Sequence, residues 1–171
     1  MTVAALSLNT RSSVQAEHAE LQSELAAAAN FRGRLGEAAR AVATTLGPHF
    51  IKEEKYVLPP LGILPVLAAG KIPQNAEEIR TIAERLEPEL EQMTREHRAI
   101  VASLKRFAEI AEQEGRTDLV QLAIKLKLHA ANEEEVLYPA AMLVGKYLRH
   151  VIRPAYTPGT KPPPTPQDPE C

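Results

Sequence analysis

The apolar residues of this chain recur every three or four positions over long stretches, which is the spacing of one face of an α-helix. The first stripe runs from Val14 to Leu25 and includes His18. Polar residues occupy most of the positions between its members. The pattern therefore predicts a first amphipathic helix with a histidine on its apolar face.

A turn is predicted at residues 30–33, where asparagine and glycine adopt positive φ more easily than other residues. The second stripe begins at Leu35, ends at Tyr56 and contains both His49 and Glu53. It passes through a Gly-Pro pair directly before the histidine, and a proline there removes a helix hydrogen bond and should kink the helix. The first two helices are thus predicted to form a hairpin.

The second half of the chain repeats this layout after a crossover at residues 59–75. The stripe from Ile79 to Phe107 includes His97 and passes through Pro88, so we expect either one kinked helix or a short helix joined to a longer one. This stripe is the counterpart of the first helix.

Residues 114–117 form the second predicted turn. The last main helix carries a stripe from Leu119 to Ala140 that includes His129 and Glu133, with one or two further turns after it. This stripe is the counterpart of the second helix, so the chain contains two similar hairpins.

Each turn lies about midway between two of the histidines, so each antiparallel helix pair brings its own two histidines to one height. Two such hairpins then pack around a pseudo-two-fold axis. The predicted fold is all-α, an antiparallel up-down four-helix bundle over residues 12–152. Residues 153–171 are rich in proline and are expected to form an extended or disordered tail.

The composition agrees with this fold and gives no indication of a nucleic-acid or membrane partner. A chain of 171 residues can form one domain with a full core, and the absence of tryptophan with 4% aromatic residues suits a helical bundle. The net charge of -2 gives no reason to expect nucleic acid or an anionic membrane as a partner. The longest uncharged apolar run, residues 56–70, is shorter than the ~20 residues of a membrane helix. We expect a cytoplasmic protein, since the N-terminus lacks the basic segment of a signal peptide.

The motif His-x-x-x-Glu occurs twice, as His49 with Glu53 and as His129 with Glu133. Residues four apart on a helix lie about 40° apart on one face, so these carboxylates point inward with their histidines. The glutamates five after each histidine, Glu54 and Glu134, are turned away by about 140°. No glutamate lies three positions before a histidine, so the Glu-x-x-His motif of ferritin-like di-iron bundles is absent from the sequence.

The predicted bundle interior therefore collects four imidazoles and two carboxylates. Two buried carboxylates without a cation would be very costly. Nitrogen and oxygen ligands without sulfur favour iron or manganese over structural zinc, and the duplication favours two ions. The hypothesis is two iron ions, with manganese as the alternative metal, joined by both glutamates and a shared oxo or hydroxo group. The candidate ligands are His18, His49, Glu53, His97, His129 and Glu133. The sequence leaves open which two histidines share an ion.

At these residues the sequence resembles the hemerythrin-like, or HHE cation-binding, family. The family pattern is His…His-x-x-x-Glu, stated twice, and the match covers roughly residues 12–150. The pattern is often followed by Leu-Phe-Pro, and here Leu58-Pro59 and Leu137-Tyr138-Pro139 follow. The resemblance implies a four-helix bundle with a carboxylate-bridged, non-haem di-iron centre that meets oxygen, nitric oxide or peroxide.

The chain departs from the oxygen-carrying hemerythrins at two positions. Those proteins have a further histidine four residues after the third ligand, where this chain has Val101. They also have an aspartate five residues after the last histidine, where this chain has Glu134. The four-histidine, two-glutamate set resembles that of the iron-sulfur repair and iron-sensing members.

Three functions follow from these observations, and the sequence does not decide whether the protein is an enzyme. The first is binding or sensing of oxygen or nitric oxide at the iron centre. The second is enzymatic turnover of hydrogen peroxide or nitric oxide. The third is iron storage or donation, as in iron-sulfur repair.

Residues beside the motifs are interpreted more plainly. Five neighbouring glutamates are expected on solvated helix faces: Glu17, Glu54, Glu96, Glu134 and Glu135. Of these, Glu17 and Glu96 could instead orient an imidazole or pass protons. Tyr56 and Tyr138 could line the pocket, but core packing is the preferred interpretation, and His150 is assigned to the surface.

Overall fold

The computed structural model describes residues 10–152, and within these residues every regular element is a helix. None of these helices is long and apolar enough to cross a membrane. The tail predicted for residues 153–171 lies outside the described residues. The elements are α1 Thr10–Ala29, α2 Arg34–Tyr56, α3 Leu58–Gly62, α4 Leu64–Ala68, α5 Ala76–Gln113, α6 Thr117–Asn132, a π-helical turn Glu133–Leu137, and α7 Tyr138–Val151.

Four long helical segments form the bundle. Helix α1 packs on α2, α2 on α5, α5 on α6, and α6 on α1, which closes the ring. The π-helical turn joins α6 to α7, so the fourth segment continues beyond the bundle centre. The predicted all-α antiparallel bundle of two hairpins is confirmed.

Both predicted turns are confirmed, and glycine makes each of them possible. Gly33 has φ 74° and Gly115 has φ 69°, a conformation that costs other residues energy. In the first turn, a Cβ atom on Gly36 would lie 1.9 Å from the carbonyl oxygen of Phe31. The tight start of α2 therefore requires glycine there, and this turn sets the height at which α1 and α2 meet.

The crossover contains more structure than the sequence indicated. Two short helices, α3 and α4, begin with Val57 and Ile63 as their caps and hold prolines in their first turns. Proline is tolerated there because the first helical N–H groups have no partner within the helix. Helix α3 packs against α1, α5 and α7, and its Leu58 and Leu61 are fully buried. The crossover therefore closes one end of the bundle.

Helix α5 is one continuous element of 38 residues that includes Pro88, which selects the single-helix alternative. The break lies elsewhere, in the fourth segment. There the backbone N–H of Tyr138 donates to the carbonyl of Glu133, five residues earlier, and so closes a π-helical turn. The sequence analysis missed this turn because periodicity over so few residues does not distinguish π from α.

The core has two main apolar layers, and the candidate residues lie between them. One layer, near the two turns, includes Leu21, Leu46, Ile100 and Leu126. The other, near α3 and α7, includes Val14, Val57, Met93 and Tyr138. Along each of the four segments, the histidine falls between a residue of one layer and a residue of the other.

Candidate metal centre

The six candidate ligands all lie in the bundle interior, and none is more than 5% exposed. They are also the polar or charged residues that the described part of the chain buries most completely: His18, His49, Glu53, His97, His129 and Glu133. Each sits on a core-facing stripe, because the apolar neighbours three and four residues away hold that face inward. The structure thus brings all six together.

The six residues form two clusters that share both carboxylates. The first cluster holds His18 and His129, the second holds His49 and His97, and Glu53 and Glu133 belong to both. Within each cluster the ligand atoms lie within 4.8 Å of one another. Each pair of histidines comes from two different hairpins, α1 with α6 and α2 with α5, which answers the question that the sequence left open.

Each carboxylate reaches both clusters with its two oxygens. In the first cluster, Glu133 Oε1 lies 2.7 Å from His129 Nε2 and 3.3 Å from His18 Nε2. Its Oε2 lies 3.3 Å from His97 Nε2 in the second cluster.

Glu53 has the mirrored arrangement. Its Oε1 lies 3.2 Å from His49 Nε2, and its Oε2 lies 3.6 Å from His18 Nε2. Two carboxylates that each face two nitrogen pairs have the placement of bridging ligands.

The hydrogen bonding within the centre is incomplete, which tests whether metal fits. Glu53 Oε2, Glu133 Oε2 and His129 Nε2 are buried without a hydrogen-bond partner. His129 Nε2 is close to Glu133 Oε1 but lacks hydrogen-bond geometry. Unpartnered buried polar atoms are rare, and cations would satisfy these three. The donors contain no sulfur, so the two clusters fit a binuclear metal site with nitrogen and oxygen ligands.

The profile of the hemerythrin HHE cation-binding domain matches residues 10–141. This chain belongs to that family. The matched range includes α1, α2, α5, α6 and both clusters, and it ends within α7. A search of curated proteins and a search of solved structures each give no match. Family membership thus agrees with the resemblance read from the two motifs.

Around the centre of this hemerythrin-family domain lies an outer ring of four carboxylates. Each histidine presents Nε2 to the centre and Nδ1 to one outer glutamate. The Nδ1–oxygen distances are 2.9 Å for His49–Glu96, 2.8 Å for His97–Glu134, 3.1 Å for His129–Glu17 and 3.4 Å for His18–Glu54. A carboxylate on Nδ1 fixes the ring orientation and keeps the Nε2 lone pair directed inward.

For Glu17 and Glu96 the structure selects the alternative that the sequence left open, since each meets a histidine Nδ1. For Glu54 and Glu134 the purely solvated interpretation was wrong. Glu54 and Glu134 point away from their own His-x-x-x-Glu motif, as the geometry required, but they meet a histidine of the neighbouring helix. Glu17 and Glu96 likewise contact the Nδ1 atom of a histidine on another helix. A signal was present, since Glu-His and Glu-Glu pairs occur in both halves. Glu135 is exposed, as expected.

The outer carboxylates also shift the ionisation of the histidines. Burial disfavours a charged imidazole, but Glu53 and Glu96 outweigh it through hydrogen bonds and charge, so the pKa of His49 is raised. Burial also acts on His129, but the Glu133 carboxylate beside it outweighs burial, so the pKa of His129 is raised as well. Glu96 is held ionised despite partial burial, because His49, Lys52 and Gln92 lower its pKa to about 2.

The pKa values of the two inner carboxylates, Glu53 and Glu133, are shifted in opposite directions although both groups are buried in the same centre. Burial and the charge of Glu133 raise the pKa of Glu53. Burial acts on Glu133 too, but the nearby imidazoles of His129, His18 and His97 outweigh it and lower the pKa of Glu133. Without metal, the pair therefore keeps one carboxylate charged and favours a proton on the other. Metal ions would replace that proton, because both oxygens of each bridge must be free.

Aromatic side chains distinguish the two clusters. The Phe50 ring stacks on His18 with centroids 3.8 Å apart and 2° between the planes. The Tyr138 hydroxyl lies on the second cluster, 3.4 Å from His49 Nε2 and 3.3 Å from His97 Nε2, and it donates to Glu53. The assignment of Tyr138 to core packing was incomplete, since the ring is buried but the hydroxyl reaches the centre. Tyr56 packs against the core and His150 is exposed, as predicted.

Proposed function

We propose that this protein holds two iron ions in the shared centre and binds small oxidants there, oxygen or nitric oxide. The observation that carries the proposal is the sharing of Glu53 and Glu133 between two histidine pairs. Each ion would receive two imidazole nitrogens and one oxygen from each carboxylate. Two histidines with carboxylate ligands suit iron and leave positions for an external ligand.

The residues of this chain would hold the ions and orient their ligands, and iron would supply the electrons with which the site reacts with oxygen or nitric oxide. The outer carboxylates fix the four imidazole rings in place. The apolar layers on both sides keep bulk water from the centre. The Tyr138 hydroxyl is a hydrogen-bond donor beside the second cluster, and its bond to Glu53 fixes the orientation of the carboxylate that would bind both ions.

Turnover of hydrogen peroxide or nitric oxide is the second candidate, and the outer ring favours it. Reduction of hydrogen peroxide to two waters, or of two nitric oxide molecules to nitrous oxide and water, takes two electrons from an external reductant and two protons from solvent. The side chain of Glu96 is 17% exposed, lies on His49 Nδ1 and forms an ion pair with Lys52. A carboxylate on Nδ1 raises the basicity of its imidazole and so would make it a stronger ligand for oxidised iron, which supports turnover.

The experiment is a set of titrations of iron-loaded protein, monitored by its optical spectrum. A change that reverses when oxygen or nitric oxide is removed supports the binding role. Sustained loss of excess peroxide or nitric oxide supports the enzymatic role instead. Ready transfer of iron to a chelator, with neither response, would contradict both and leave iron storage or donation.

A further inference from the structure

Each hairpin carries a groove between its two helices at the height of the metal centre. The first groove lies between α1 and α2, and the second lies between α5 and α6. His18 corresponds to His97 in the repeat, and His49 corresponds to His129. With this correspondence, five of the seven residues that line the second groove have their counterparts in the first. The two grooves are therefore equivalent places in the repeat.

The grooves differ in whether they reach a histidine. His97 is part of the wall of the second groove, whereas His18 is not part of the wall of the first. The first groove is nevertheless the larger, about 530 Å³ against about 320 Å³. Size therefore does not explain the difference in access.

The side chain of Phe50 explains why only the second groove reaches a histidine. Phe50 lines the first groove and covers His18 with its stacked ring. The corresponding residue of the second groove is Ala130, whose side chain ends at Cβ. Among the described residues, no phenylalanine or tyrosine lines the second groove, so the His97 ring and the Glu134 carboxylate on its Nδ1 form part of its wall. The Tyr138 ring lies 5.6 Å from the His97 ring but does not line this groove.

We propose that small ligands reach the metal centre through the second groove, on the side of His97, and that Ala130 keeps this entrance open. The inference rests on the proposed di-iron function, because it describes how ligands reach that centre. Phe50 closes the equivalent route at His18. The entrance thus follows from one difference between the two halves, alanine at position 130 where the first hairpin has Phe50.

The charge of the second groove indicates which ligands it favours. Arg98 and Lys127 line it and are exposed, and neither forms an ion pair within the described part of the chain. Their counterparts in the first hairpin, Ala19 and Gly47, are uncharged. Glu134 offsets part of this charge, but its carboxylate is bound to His97. Two cations at an entrance raise the local concentration of small anions and speed their association.

The test uses azide, a small anion, and iron-loaded protein. Its association rate is measured by stopped-flow absorbance in the parent and in Ala130→Phe. We expect the new ring to stack on His97, as Phe50 stacks on His18, and to slow association by about tenfold or more, since entry would then await local opening. Ala99→Phe, an exposed position on α5 outside the groove, makes the same chemical change and should leave the rate unaltered.

A double variant separates closure from general damage. Phe50→Ala in the Ala130→Phe background opens the first groove while the second is closed, so we expect the azide rate to recover. If phenylalanine at position 130 prevents iron loading, Ala130→Leu gives a smaller obstruction with the same expected direction. Iron content and helicity are measured for every variant.

The charge is tested separately. Arg98→Gln with Lys127→Gln should slow azide at low salt, with a difference that shrinks at high salt, and should leave the rate for neutral nitric oxide unaltered. An equal effect on both ligands would contradict the role of charge.

The outcomes distinguish the two proposals. If iron-loaded parent protein binds neither azide nor nitric oxide, the proposed function fails, and the entrance fails with it. If the parent binds azide but Ala130→Phe and Ala130→Leu match it in rate, the proposed function stands and the entrance is overturned.

Discussion

The two clusters of the centre share their carboxylates but differ in their surroundings. The first cluster, His18 with His129, has the Phe50 ring stacked on one imidazole. The second, His49 with His97, has the Tyr138 hydroxyl beside both imidazoles. The residues at the corresponding places in the other half are Ala130 and Leu58, which are small or apolar.

This difference separates two tasks within one repeated structure. The repeated residues, histidines with inner and outer glutamates, form a symmetric cage for two ions. The residues that break the repeat do not belong to the cage. They place a hydroxyl group beside the second cluster only, and in our proposal they also determine from which side a ligand reaches the cage. Variants that affect both clusters should therefore reduce metal binding most, and variants that affect one cluster should reduce it less.

The largest effect is expected from Glu133→Gln, which removes a charge that both clusters share. Metal content should fall from about two ions per chain to nearly none, because each ion loses an anionic ligand. Elemental analysis after metal loading measures this. Glu135→Gln, an exposed change two residues away, is the matched control and should retain both ions. A Glu133→Gln protein that holds two ions would show that this carboxylate is not a bridge.

A smaller effect is expected when a single cluster is damaged. His18→Ala removes one imidazole from the first cluster, and His97→Ala removes its repeat counterpart from the second. Each should lower the content to about one ion per chain, since the other histidine pair remains. Elemental analysis is again the measurement, with exposed His150→Ala as the control. Retention of both ions in either variant would argue against the assignment of that histidine.

The outer ring should have a weaker effect. Glu96→Gln and Glu17→Gln each remove the charge on one histidine Nδ1, in the second and first cluster respectively. We expect the metal affinity of that cluster to fall by about 10- to 100-fold, which is typical when a group that orients a ligand is lost. Competition with a chelator measures the affinity. Affinities equal to the parent's would reduce these glutamates to the solvated role that the sequence first suggested.

The smallest effect concerns pH and is common to both clusters. In metal-free protein the pKa values of His49 and His129 are raised above 6.5. Their contribution to folding stability is thus fully present below pH 6.5 and is lost as pH rises through the raised pKa values. Metal-free protein should become less stable above pH 6.5. Metal binding needs neutral imidazoles, so the stabilisation that metal adds should instead grow with pH over this range. Denaturant unfolding with and without metal measures both trends, and parallel trends would contradict this account.

Much of the centre was predictable, because the residues that form it follow helical spacing. His49 with Glu53, and His129 with Glu133, share a face by their four-residue separation, and the apolar stripes direct that face inward. The turns at Gly33 and Gly115 then bring the histidines level. These features depend on residues close together in the chain, which is why they can be read from one sequence.

What was missed depends on contacts between helices or on an irregular backbone. The outer glutamates meet histidines of other helices, and periodicity along one helix does not reveal a neighbour. Tyr138 lies five residues after Glu133, which in an α-helix would turn it away by about 140°. In the π-helical turn the Tyr138 N–H bonds to the Glu133 carbonyl, which brings Tyr138 closer to the face of the helix that carries Glu133. The Tyr138 hydroxyl therefore reaches Glu53. The pairing of histidines across hairpins likewise required the packing of all four segments.

The central claim is that one chain holds two metal ions between shared carboxylates. The most direct test is the number of iron ions per chain in anaerobically loaded protein after weakly bound metal has been removed, measured by elemental analysis. The account predicts about two ions per chain. One ion, or none, in well-folded protein would contradict the shared binuclear centre.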